Sequence, residues 1–189
     1  MKDACLPVGR DILLHTCCAP CLIYPLELLR LKGFKVTGFF YNPNIHPISE
    51  YSERKKAIAI LDPGIEFIYP DYLPQEFFQG VNLNEETPAR CAICWRQRLT
   101  KTARVAREKG FKYFSTTLLV SPYQDHELLK IIGDDIAKET GVEFYYTDFR
   151  LGFRKAHNEA RARGIYIQKY CGCIYSDIER SKKKRECVS

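Results

Sequence analysis

The chain has 189 residues, 46% of them hydrophobic, which is enough to bury a full core within one domain. No run approaches the roughly 18 apolar residues of a membrane span, and the opening Met1-Lys2-Asp3-Ala4-Cys5 lacks the apolar stretch of a secretory signal, so a cytoplasmic protein is expected. A net charge of +6 is too moderate to demand a polyanionic partner by itself, and nine cysteines in a reducing compartment point to metal ligation or redox work rather than disulfides.

Asp11 to His15 reads as a buried strand, and Cys17, Cys18 and Cys21 fall where it ends. Pro20 suits the first turn of a helix running to Lys32, and Gly33 stops it. Lys35 to Tyr41 is a second buried strand, followed by the turn-rich loop Asn42-Pro43-Asn44-Ile45-His46-Pro47. Ser49 can cap a helix to Leu61, and Ile65 to Tyr69 makes a third strand. Residues 71–90 are less regular and are expected to form a lid or small helical insertion. Thr87-Pro88 signals a helix start, which puts Cys91 and Cys94 on one face in its first turns. The helix dipole and the neighbouring Arg90 and Arg96 should favour thiolates there.

That helix continues toward Lys109, and Lys112 to Leu118 is a fourth strand. Ser121-Pro122-Tyr123-Gln124 matches a capping box for the next helix, Val142 to Tyr146 is a fifth strand, and Arg154 to Arg163 is a basic helix. Strand alternating with helix implies one α/β domain over 1–189: a doubly wound, mainly parallel five-stranded sheet of Rossmann-like topology. Its cysteine-rich site lies beyond the carboxyl ends of the strands, where ligands bind in open parallel sheets. Basic residues gather in 90–109, in 150–163 and in a tail over 177–189; three such runs near a thiol site make nucleic acid an expected partner.

The thiols fall in three groups, Cys17-Cys18 with Cys21, Cys91-x-x-Cys94, and Cys171-Gly172-Cys173, while Cys5 and Cys187 near the ends are read as bystanders. Four sulfurs from two pairs suit tetrahedral zinc or an iron–sulfur cluster. Adjacent cysteines can serve separate iron corners of a cluster but are unusual in zinc ribbons, which tilts the reading toward iron and sulfide. A disulfide across one glycine would be strained and easily reduced, so Cys171 and Cys173 could pass electrons, and Cys21 could bind an additional iron. No glycine-rich phosphate loop follows the first strand, so no nucleotide is expected at the usual place. His15 reads as a core histidine, and Tyr41, Tyr123 and Tyr170 could stack an unpaired base. Asp125 and His126, ahead of Asp71, are the candidate proton donors.

Taken together, Leu14-His15-Thr16-Cys17-Cys18-Ala19-Pro20-Cys21, Tyr41 to Pro47 with Glu50-Tyr51, Arg90-Cys91-x-x-Cys94, Thr116 to Tyr123 and Tyr170-Cys171-Gly172-Cys173 resemble the epoxyqueuosine reductases of the QueH type. The resemblance spans about Asp11 to Ser176, and it is similar in topology to nucleotide alpha-hydrolase-like folds. It implies two-electron removal of the epoxide oxygen from epoxyqueuosine in a tRNA anticodon, the last step of queuosine synthesis. It also implies a [4Fe-4S] cluster on Cys17, Cys18, Cys91 and Cys94, a redox-active role for Cys171 and Cys173, and no cobalamin. An external electron donor of the ferredoxin or flavodoxin type would be needed. A thiol–disulfide oxidoreductase without metal, or a zinc-stabilised RNA-binding module, would use the same thiols differently.

Overall fold

The computed structural model describes residues 10–186, so Cys5 and Cys187 lie outside the described residues. Five strands, β1 (Asp11–His15), β2 (Lys35–Phe39), β3 (Phe67–Ile68), β4 (Tyr113–Thr116) and β5 (Glu143–Phe144), are all parallel, in the order β3-β2-β1-β4-β5. Asp11 stands opposite Lys35, and His15 is flanked by Phe39 and Thr116. Ile12, Leu13 and Leu14 are wholly buried. A central strand covered on both faces has no solvent side, which is why its apolar residues run on without alternation.

The expected doubly wound five-stranded sheet is therefore present, with shorter strands at its rims. The spans 65–69 and 142–146 contribute two residues each, because an edge strand has a neighbour on one side only. The strand expected over 112–118 ends at Thr116, where the chain tightens into a 3₁₀ turn over Thr117–Val120. The Thr116 hydroxyl accepts from the Leu118 N–H at 3.1 Å and starts that turn.

Among the described residues seven helices complete the layers: α1 (Ala19–Leu31), α2 (Ile48–Leu61), α3 (Pro74–Val81), α4 (Ala89–Glu108), α5 (His126–Thr140), α6 (Phe153–Ala162) and α7 (Ile174–Glu186). α1 packs with α2 and α6, and α4 packs with α3 and α5. Two helix starts differ from expectation. α2 begins after Pro47 with no side-chain cap, so Ser49 lies inside the helix. α5 begins after Asp125, whose carboxylate accepts from the Leu128 N–H at 3.0 Å. The Ser121-Pro122-Tyr123-Gln124 signature is used up in a turn, in which Ser121 Oγ accepts from the Tyr123 N–H at 3.3 Å.

Within 71–90, α3 carries Phe77 and Val81 into a small second core with Cys94 and Cys173. The basic stretch from residue 177 is helical through Glu186 as part of α7. Arg90 joins α7 to the start of α4, donating from Nη2 to both carboxylate oxygens of Glu179 at 2.9 and 3.1 Å.

Candidate metal and redox site

Strand order reverses at β1, with β2 and β3 on one side and β4 and β5 on the other. Beyond the carboxyl ends of β1 and β4 the connections diverge, which opens a crevice in a sheet of this kind. Cys17, Cys18 and Cys21 stand in it. The backbone N–H of Cys17 donates to Thr117 Oγ1 at 3.2 Å, tying the exit of β1 to that of β4. His15, one turn below, is fully buried. The Tyr41 carbonyl, 3.1 Å from Nε2, can only accept, so Nε2 carries the hydrogen and Nδ1 accepts from the Thr116 hydroxyl at 2.9 Å. Burial first, then the Arg98 charge, push the imidazole down to about 3, so His15 is a neutral core residue, as its apolar strand suggested.

The sulfurs of Cys17, Cys18 and Cys21 all lie within 4.8 Å of one another and are buried. Cys17 Sγ is 3.7 Å from Cys18 Sγ and 3.4 Å from Thr117 Oγ1. Cys17 is held well below the usual thiol range because Cys18 and Cys21 donate hydrogen bonds to it, with Thr117 adding another. Burial raises Cys18, and its hydrogen bond to Cys17 raises it further; Cys21 is raised by its bonds to Cys17 and Cys18. Three convergent buried sulfurs are a donor set that can hold a metal ion.

The other described thiols, Cys91, Cys94, Cys171 and Cys173, come from α4 and from the segment before α7, and all seven described cysteines are free. The structure does not favour thiolates at the start of α4. Burial raises Cys91 and pushes Cys94 up to about 12, outweighing the Arg90 and Arg98 charges. Arg96 points elsewhere, 3.6 Å from Asp135 and 3.5 Å from Glu139. Cys171 is exposed, whereas Cys173 is buried and accepts from the Ser176 N–H at 3.4 Å. The residue between them must be glycine. Gly172 has φ +136, and an added Cβ would lie 3.1 Å from Ile45 Cγ1 and 3.3 Å from Arg54 Nη1.

Two buried arginines set positive charge beside the sulfurs. Arg98, 1% exposed, lies four residues after Cys94 and seven after Cys91 on one face of α4, and donates to the Cys94 carbonyl at 3.3 Å. Burial opposes its charge, but Cys94, Cys171 and Cys17 favour it, and the balance is upward. Arg54, also 1% exposed, pairs with Glu50 at 2.8 Å and donates to the Cys171 and Tyr170 carbonyls at 3.0 Å each. Nothing in a linear reading marked either as part of the site, although the spacing of Arg98 from the Cys91-x-x-Cys94 pair carried the signal.

Several buried polar atoms around these sulfurs have no partner among the described residues: Arg98 Nη2, Asn42 Oδ1, both amide atoms of Asn44, and Gln168 Oε1. Gln168 Nε2 meanwhile donates to Cys21 Sγ at 3.5 Å. Two of these atoms, Arg98 Nη2 and Asn44 Nδ2, are donors, and they fit a group with anionic sulfur acceptors, as an iron–sulfur cluster has; the amide oxygens would need a donor instead.

A cavity of about 280 Å³ opens on Cys17, Cys21 and Cys171. Its walls include Arg54, Thr117, Gln168 and Tyr170, and its lining contains no carboxylate. Neither Asp125 nor His126 is in that lining. Asp125 is the exposed cap of α5, and His126 is buried with Nε2 3.2 Å from the Ser121 carbonyl. Asp71 is exposed as well. Of the three tyrosines read as base-stacking candidates, Tyr41 is buried and donates to Glu76 at 2.6 Å, while Tyr123 and Tyr170 do line the cavity.

A family model described as epoxyqueuosine reductase QueH matches residues 12–179. The epoxyqueuosine reductase QueH of Dehalococcoides mccartyi is 40% identical over 179 residues, covering 93% of this chain and 97% of that protein. Those of Thermotoga maritima, 35% identical with 93% and 94% covered, and of Streptococcus pyogenes, 36% identical with 89% and 71% covered, are also similar. Among solved structures, a predicted subunit of tRNA methyltransferase from Methanocaldococcus jannaschii superposes with a TM-score of 0.56 at 10% identity, over 93% of this chain and 88% of that one. That likeness bears on the fold alone.

Proposed function

This chain belongs to the epoxyqueuosine reductase QueH family, and on that footing we propose that it removes the epoxide oxygen from epoxyqueuosine in a tRNA anticodon, completing queuosine. In that reaction both C–O bonds of the epoxide break, a C=C bond forms, and two electrons and two protons carry the oxygen away as water. The observation that carries the reading at this site is the buried Cys17–Cys18–Cys21 triad opening, with Cys171, into a carboxylate-free cavity at the switch point of the sheet.

Cys17, Cys18, Cys91 and Cys94 would hold a [4Fe-4S] cluster, and Cys21, close enough to share a metal with Cys17 and Cys18, would serve an additional iron. Such a centre supplies electrons singly and a Lewis acid for the leaving oxygen, with no call on cobalamin. Arg98 and Arg54 offset the negative charge of the sulfurs. Oxidation of Cys171 and Cys173 to a disulfide releases two electrons and two protons, the amount the reaction consumes. An external carrier of the ferredoxin or flavodoxin type would then restore both thiols.

Anaerobic purification with iron and sulfide analysis, and electron paramagnetic resonance after dithionite reduction, tests the cofactor. About four irons and four sulfides with a reduced-cluster signal are expected; iron in excess of sulfide would mark the additional site, and zinc alone would overturn the assignment. Mass spectrometry of nucleosides from tRNA carrying epoxyqueuosine tests the reaction. Cys91→Ala should abolish both the cluster signal and turnover, and retained activity would remove Cys91 from the ligand set.

A further inference from the structure

The cavity over the thiols has an aromatic mouth on the side of Tyr123. Tyr123, from the turn after β4, is 82% exposed. Its ring meets the edge of Phe153 at 5.9 Å and 83°, and Phe153 in turn lies 4.1 Å from His157 one turn further along α6. These three rings, all lining the cavity, form a continuous wall on one side of it. Tyr123 meets Phe153 at a steep angle rather than stacking on it, and at 82% exposure it leaves its ring open to a flat partner.

The charge at this mouth is one-sided. Along the basic run 150–163, Arg150 is committed to Asp148 at 2.5 Å, Lys155 to Glu27 at 2.7 Å and Arg163 to Glu159 at 3.4 Å. Lys169, in the cavity lining, is exposed and has no carboxylate partner among the described residues. Polar groups for a base edge are also present: Gln124 uses Oε1 on the Trp95 indole N–H at 3.0 Å, which leaves its amide N–H₂ free. An unpaired cation beside a wall of partly open aromatic rings supplies the two halves of a single-stranded nucleic-acid site, backbone charge and base face.

We infer that Tyr123, Phe153 and His157 form the stacking subsite for the unpaired base that carries the epoxide ring, with Lys169 on a flanking phosphate. The base lies against the wall, and its substituent reaches the floor made by Cys17, Cys21 and Cys171. This inference rests on the reductase reading for the identity of the base, while the stack itself depends only on the wall and its charge.

The test is fluorescence anisotropy with a labelled anticodon stem-loop RNA, set beside a fully paired RNA hairpin of equal length. Wild-type protein should prefer the stem-loop. Tyr123→Ala, at an exposed position that leaves the fold intact, should weaken stem-loop binding by about 5- to 150-fold, the range for loss of one base–aromatic stack. Tyr123→Phe should bind within about twofold of wild type, because the face and not the hydroxyl makes the contact. Lys169→Ala should lower the slope of log affinity against log salt by about 1, and Tyr123→Ala should leave that slope unchanged. Equal affinity of Tyr123→Ala and wild type for the stem-loop would overturn the stacking subsite while leaving an RNA substrate in place. No preference of the wild type for stem-loop over hairpin would instead overturn the reading of an anticodon substrate. His157→Ala gives the same readout from α6, so a result peculiar to Tyr123 is recognised as such.

Discussion

Removing Arg54 should release the segment that carries Cys171. The guanidinium is 1% exposed, paired with Glu50 at 2.8 Å, and bonded to the Tyr170 and Cys171 carbonyls. In Arg54→Met, Glu50 keeps only the Tyr166 hydroxyl, at 2.5 Å, to offset its burial. Breaking a buried pair by deleting one partner costs about 3–5 kcal/mol. The two freed carbonyls add little, because the neighbouring cavity admits water to them. At about 2–4 °C per kcal/mol for a chain of this size, the midpoint should fall by roughly 6–20 °C. Far-UV circular dichroism on anaerobic, reduced, chelator-treated protein separates this from metal linkage. The double variant Arg54→Met with Glu50→Leu should regain most of the loss, since replacing both charges by apolar groups is often neutral. A single variant that loses under about 1 kcal/mol, or a double variant less stable than the single one, would refute the ion pair as the anchor.

Three further outcomes follow from other parts of the structure. Burial lowers His46, so it is neutral in the fold and protonated more readily in the unfolded chain; its contribution is present above its ordinary value of 6.5 and lost as pH falls through the lowered one. Midpoints should therefore decline on acidification below about 6.5, and His46→Leu should flatten that decline in melts from pH 7.5 to 5; parallel slopes would argue against it. In metal-free reduced protein, alkylation followed by peptide mass mapping should find Cys171 first and Cys91 next, with Cys18 last, according to their exposure. Early modification of Cys18 would contradict the closed triad. A Cβ at Gly152 would lie 1.8 Å from the Tyr24 ring, so Gly152→Ala should cost about 1–3 kcal/mol in urea unfolding by forcing α1 and the start of α6 apart; an unchanged midpoint would mean that Tyr24 swings clear.

Local pattern alone determined the order of strands and helices and placed Cys17, Cys18 and Cys21 at the exit of the central strand. A buried parallel strand is a short unbroken apolar run, so Asp11 to His15 was legible to the residue, and its thiols had to emerge at the carboxyl edge where such sheets bind ligands. Edge strands and caps were less legible. β3 and β5 lose their ends for want of a second neighbour, and Asp125 caps α5 because Ser121 is engaged in a turn.

Which thiols meet was a matter for the tertiary structure. The helical turn after β1 folds Cys21 back onto Cys17 and Cys18, whereas Cys91 and Cys94 stand on α4 with Arg98, and Arg54 holds the backbone at Cys171. Neither arginine announces itself in sequence, because charged residues in a helix are ordinarily solvated and only packing shows that these two face inward. The aromatic wall is likewise assembled from Tyr123 and from Phe153 with His157, about thirty residues apart, where α6 packs beside the turn after β4. Short-range periodicity specifies what each segment becomes. Long-range packing alone decides which of its side chains share a cavity.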